Sequence, residues 1–162
     1  MTSDHQHDPL RPHYHDPNPA PPSADPSFLV TLSNGWQKQI TVADLQALPI
    51  THIDHCYIVS TGHGTSGPFT FAGTTLLALI ETMLDADTSW SQVEVISADG
   101  FGNRVQASEL FDPDPTGPIL LSYLVDGKSL TREEGLVRMI VPSEKDDALR
   151  QVKWIGQVNI LP

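Results

Sequence analysis

The sequence holds one cysteine, Cys56, and no lysine or arginine between Gln39 and Asn103. A lone thiol excludes an internal disulfide and any cluster of thiolates around a metal. The long cation-free interval removes the dense positive charge that nucleic-acid phosphates demand, so no nucleic-acid partner is expected. No apolar run approaches the roughly 20 residues that cross a bilayer, and no membrane insertion is expected either. Met1 to Asp8 is polar and His-rich, unlike the apolar centre of a secretory signal. A cytoplasmic location is the expectation left by this lack of an address.

Negative charge, by contrast, is plentiful. The 162 residues carry 20 Asp and Glu against 9 Lys and Arg, a net charge of -11. Such a chain is expected to be soluble and self-repelling rather than drawn to anionic membranes. The length suits one domain with a tail. Residues 1–26 hold 7 of the 14 prolines and few large apolar side chains. They bury too little surface to offset the entropy of ordering, which predicts a disordered Pro/His-rich tail over 1–26 and a folded domain over 27–162. The tail's His5-Gln6-His7 and His13-Tyr14-His15 offer only loose metal chelation.

From Phe28 onward the pattern is one of short strands. Phe28 to Leu32, Asn34-Gly35 and Trp36 to Val42 predict a hairpin, because Asn-Gly supplies the positive φ of its turn. Thr41 and Asp44 form a capping-box pair for a short helix through Leu48, stopped by Pro49. Ile50 to Thr61 predicts a long strand, and Gly62 to Gly67 a glycine-rich loop. Thr74 is the expected cap of a helix bearing Leu76, Leu77, Ile80, Met83 and Leu84 on one face. Strands at 93–97 and 101–105 flank an Asp99-Gly100 turn, and a strand over 119–125 runs into Asp126-Gly127. Strands over 136–141 and 152–161 close the chain around a charged turn at Lys145 to Arg150. Many short strands with two or three short helices predict an α+β domain that is predominantly β.

Residue chemistry alone is sparse. His52, Asp54 and Cys56 alternate along one strand, but three ligands without a fourth make a core or surface role the better expectation. Cys56 suits a buried small hydrophobe, and Trp154 suits the core. No Ser-His-Asp order or carboxylate pair suggests hydrolysis. Seven of the nine basic residues fall after residue 100: Arg104, Lys128, Arg132, Arg138, Lys145, Arg150 and Lys153.

Four segments in order carry more: Asp99-Gly100-Phe101, then Leu124-Val125-Asp126-Gly127-Lys128-Ser129-Leu130, then Gly135-Leu136-Val137-Arg138-Met139-Ile140-Val141-Pro142, then Val152-Lys153-Trp154-Ile155. Their order and spacing resemble the molybdopterin-binding domain of the sulfite oxidase family. Asp44-Leu45-x-x-Leu48-Pro49 and Phe71-Ala72-Gly73 extend the similarity over roughly residues 28–161, with Phe71 where the family usually has Trp. The resemblance implies the sulfite oxidase molybdopterin-binding-type fold, a molybdenum–molybdopterin cofactor, and oxygen-atom or electron transfer with a redox partner protein. It implies that Arg138 and Lys153 contact the pterin and its phosphate, groups suited to guanidinium and ammonium. Ser60, Thr61 and His63 fall in the cofactor-facing segment.

The family's metal-binding cysteine aligns with Ser60, directly before Thr61-Gly62-His63-Gly64, or alternatively with Cys56. About 13 Å separates residues four apart on a strand, so only one of the two can be the ligand. A serine hydroxyl releases its proton far less readily than a thiol. The loop also lacks the arginine that holds an anionic substrate in sulfite oxidases, which argues against sulfite. Glu134, just before the Gly135–Arg138 turn, would repel a phosphate. Two readings stay open: a molybdopterin-binding oxidoreductase domain, or a non-catalytic binding module that keeps the fold without cofactor.

Overall fold

A computed structural model describes residues 24–60, 64–85, 87–143 and 151–162, with His55, Val59, Ser60 and Thr65 described in their backbone alone. The tail up to residue 23, its histidine motifs, Thr61, Gly62, His63 and the Lys145 to Arg150 turn lie outside the described residues.

The expectation of a mostly β, α+β fold is borne out by ten strands and three short helices among the described residues. One sheet runs β2 (Gln37–Ile40), β1 (Phe28–Thr31), β10 (Ile155–Leu161), β5 (Gln92–Ser97), β6 (Gly102–Gln106). The other runs β3 (Thr51–Ser60), β4 (Gly64–Thr75), β7 (Leu120–Val125), β8 (Lys128–Ser129), with β9 (Arg138–Ile140) also paired to β7. β1 and β10 pair in parallel, so strands from the two ends of the domain lie side by side.

The main core lies between these sheets and the helices. Phe28, Val30, Val93, Val95 and Val158 of the first sheet meet Leu121, Tyr123 and Met139 of the second. Leu45 of α1 (Val42–Gln46) and Leu76, Leu79 and Ile80 of α2 (Leu76–Met83) fill the same core. A second cluster, with Ile53, Cys56, Ile58, Phe71, Leu120 and Ile140, occupies the other face of β7 and its partners. Adjacent residues such as Leu120 and Leu121 divide between the two clusters because strand side chains alternate.

The expected turns are present. Gly35, Gly100 and Gly127 have φ of 87, 90 and 81°, the left-handed region that glycine tolerates best. The capping pair at α1 is reciprocal: Thr41 donates its N–H to Asp44 at 2.8 Å, and the Asp44 N–H returns to Thr41 Oγ1 at 3.2 Å.

Several expectations are corrected. Gly64 to Gly67 is strand rather than loop, because β4 pairs back along β3 as far as Ser60 opposite Gly64. The cap of α2 is Thr75, which accepts from the Ala78 N–H at 3.1 Å. Thr74 stays in the ladder opposite Leu121. The apolar face of α2 turns Leu79 fully inward, while Leu77, Met83 and Leu84 only flank the core. Register shifts either side of Cys56 break strict alternation along β3. His52 and Asp54 are therefore exposed while Cys56 is buried, and the three do not share a face. Among the described residues no three His, Cys, Asp or Glu side chains gather around a metal position. A third helix, α3 (Ala107–Phe111), follows β6.

Candidate cofactor site

β9 begins at Arg138, opposite Ser122 of β7. Met139 enters the main core, so alternation sends Arg138 and Ile140 to the opposite face, where Ile140 joins Phe71 and Cys56. The Arg138 guanidinium carbon lies 5.6 Å from the centroid of the Phe71 ring, a cation–π contact. Its Nη2 donates to Gln151 Oε1 at 3.4 Å, while its Nε is buried with no partner among the described residues. Burial lowers the Arg138 pKa to about 10, with Cys56 and Glu134 opposing the shift.

Lys153 stands ahead of β10, held by the turn before β9. The Trp154 N–H donates to the Gly135 carbonyl at 2.9 Å, and its indole donates to the Arg132 carbonyl at 2.6 Å. Trp154 is thus a half-buried clasp rather than the core residue expected. Gly135 has φ of 110°, and a Cβ there would lie 2.8 Å from Lys153 Cβ. Only glycine lets the turn press this closely. Lys153 Nζ sits 5.7 Å from the centroid of the Trp154 ring. Burial first, then the charge of Arg138, pushes the Lys153 pKa down to about 8, against an upward pull from Glu134.

Glu134 is less of an obstacle than its position in the sequence suggests. Its carboxylate accepts the Thr131 N–H at 2.9 Å, and its own N–H donates to Thr131 Oγ1 at 3.2 Å. It closes the turn against which Lys153 packs. Among the described residues, no carboxylate lies within ion-pair distance of Arg138 or Lys153, whereas Arg104 pairs with Glu94 at 3.3 Å.

Cys56 is 8% exposed. Burial raises its thiol pKa, and the Arg138 charge pulls it back down. The structure thus brings Lys153 and Cys56 each within electrostatic reach of Arg138. Ser60 is placed by its backbone at the end of β3, while Thr61 and His63 fall outside the described residues. Sequence reasoning missed Gln151 as a partner of Arg138. It noticed Phe71 only as a departure from Trp, although an aromatic at that position is what roofs the guanidinium.

These residues fit the anionic end of a pterin cofactor. Two adjacent cations are drawn out of water, and one guanidinium nitrogen is buried and unpaired among the described residues. That arrangement suits a phosphate, which accepts from several donors at once.

A family model described as the oxidoreductase molybdopterin binding domain matches residues 22–162. The chain belongs to this family. The fold also matches that of the sulfane dehydrogenase SoxCD from Paracoccus pantotrophus, with a TM-score of 0.65 at 17% sequence identity. The match covers 83% of this chain and 38% of that one, so the chain spans well under half of that protein. No curated protein matches the chain. Among the described residues no helix is long and apolar enough to cross a membrane.

Proposed function

We propose that this domain binds a molybdenum–molybdopterin cofactor and serves as an oxidoreductase module, with Arg138 and Lys153 holding the cofactor phosphate. The observation that carries the reading is the pair of half-buried cations, one with a buried unpaired nitrogen, that no carboxylate contacts at ion-pair distance among the described residues. An unpaired buried polar group costs about 1–3 kcal/mol, more when charged, and an arriving phosphate offsets that cost. The bound group supplies oxygen-atom or electron transfer at its metal. Arg138 donates from its guanidinium edge while Phe71 fixes the plane of that group. Lys153 adds a point charge beside the turn held shut by Glu134 and Thr131.

The metal anchor belongs to β3. Ser60 takes that role by its place at the strand end, beside Thr61 and His63. Cys56 is the alternative: burial raises its thiol pKa, and the Arg138 charge offsets part of that rise toward the thiolate a metal requires. Electrons pass to a separate redox partner protein. A second reading, a binding module without cofactor, is favoured by the upward shift of the Cys56 thiol and by the lack of cations from Gln39 to Asn103.

Protein purified from a molybdenum-replete host is expected to contain molybdenum and to release a fluorescent pterin on oxidation. Arg138→Met and Lys153→Met should each reduce pterin content. Loss of the metal on Ser60→Ala but not Cys56→Ala selects the serine anchor, and the reverse selects the thiol. A folded protein with neither metal nor pterin would leave the non-catalytic reading standing.

A further inference from the structure

We infer that Gln151 is the positioning residue of the anion site: it holds the Arg138 guanidinium in place while adding no negative charge beside it. The inference rests on the reading of Arg138 and Lys153 as that site. Sheet geometry brings the three together. Val152 is fully buried in the main core and forms an antiparallel bridge with Met139. Alternation on either side of that bridge turns Arg138, Gln151 and Lys153 to the opposite face. The register sets Lys153 across from Arg138, and Gln151 on the diagonal, within reach of a long side chain.

A buried guanidinium needs an acceptor, and the charge of that acceptor decides what else the group can hold. Gln151 is 7% exposed, and its Oε1 accepts from Arg138 Nη2 at 3.4 Å. A carboxamide oxygen satisfies the donor yet leaves the positive charge whole. A carboxylate in its place would form the charge-assisted, often two-pronged pair that arginine favours, and would occupy the donors an incoming anion requires. Phe71, with its ring centroid 5.6 Å from the guanidinium carbon, is a neutral contact too. Glu134 reaches both cations by charge, but its carboxylate is spent on the Thr131 N–H. The Arg138 charge is still felt at Lys153, where it helps to push the ammonium pKa down. Gln151 thus fixes the group that an anion meets without standing in for the anion.

The test titrates inorganic phosphate into the cofactor-free full chain by calorimetry, alongside urea denaturation without phosphate. Gln151→Glu, nearly the same size, is expected to keep or raise the urea midpoint while weakening phosphate about tenfold, the worth of one hydrogen bond to a charged group. Damage to the fold would lower both, so opposite signs mark a residue that acts through the Arg138 charge. Gln151→Met keeps the bulk and drops the acceptor, and should weaken phosphate about threefold. Wild-type affinity in either variant, or a Gln151→Glu midpoint that falls with the affinity, overturns the inference and leaves the site reading in place. A wild-type chain that takes up no phosphate, or whose uptake survives Arg138→Met, overturns that reading and the inference together.

Discussion

Lys153 shows how burial turns a common side chain into a sensor of its ligand. Its pKa falls from an ordinary 10.5 to about 8 in the folded protein without ligand. Below about pH 8 both folded and unfolded chains carry this proton, so the cost of burying the charge is fully present. Between about 8 and 10.5 the unfolded chain holds more of the proton than the folded one, and stability rises with pH across that window. Urea denaturation of the cofactor-free protein should show that rise, and Lys153→Met should flatten it while adding stability at neutral pH. A bound phosphate should work in the opposite sense, restoring the ammonium and weakening its own hold as pH passes 8. A variant whose stability tracks the wild type through the window would show that Lys153 is not the group concerned.

At the scale of elements, the antiparallel pairing of β4 with β7 leaves no room for a side chain at Gly73. A Cβ on Gly73 would collide with the Leu121 carbonyl oxygen and sit 2.8 Å from Ser122 Cα, both backbone atoms that cannot step aside. The same Cβ on Gly156 would meet Ala98 at an ordinary 3.5 Å. Gly73→Ala is therefore expected to cost about 3 kcal/mol or more, and Gly156→Ala under about 1 kcal/mol, by urea denaturation. Comparable losses would mean that the β4–β7 pairing opens easily. This contrast marks what was legible beforehand. Turns at Asn34-Gly35, Asp99-Gly100 and Asp126-Gly127 were readable because local backbone geometry alone demands those residues. So was the Thr41–Asp44 pair, whose two hydrogen bonds lie within four residues. Thr75 displaced Thr74 as a cap because the ladder with Leu121 extends one residue further, a long-range fact. Glycines at 64 and 67 resembled a loop until β3 supplied a partner strand. The two register shifts that bury Cys56 and expose Asp54 leave no mark on local pattern. Arg138 and Lys153 were readable by family resemblance; their burial was not.

The two sheets meet at the same place as the two cations, and that junction decides how the whole molecule folds. Met139 of β9 exchanges a bridge with Val152 just ahead of β10, the Met139 N–H donating to the Val152 carbonyl at 2.8 Å. Arg138 thus stands on one sheet and Lys153 on the lead-in to the other, so a ligand held by both ties the sheets together. Met139 is fully buried in the core that the sheets share. Met139→Ala should remove about 2–5 kcal/mol. Because the sheets share this core, the loss should appear as one earlier transition rather than two. Far-ultraviolet circular dichroism follows strands in both sheets, while fluorescence of a Trp154-only variant (Trp36→Phe, Trp90→Phe) follows the junction. Coincident unfolding curves for the two probes, shifted together by Met139→Ala, fit a single cooperative unit. Separate midpoints, with only the Trp154 signal moved, would make the sheets independent, and a cofactor site built across them could then open without unfolding either one.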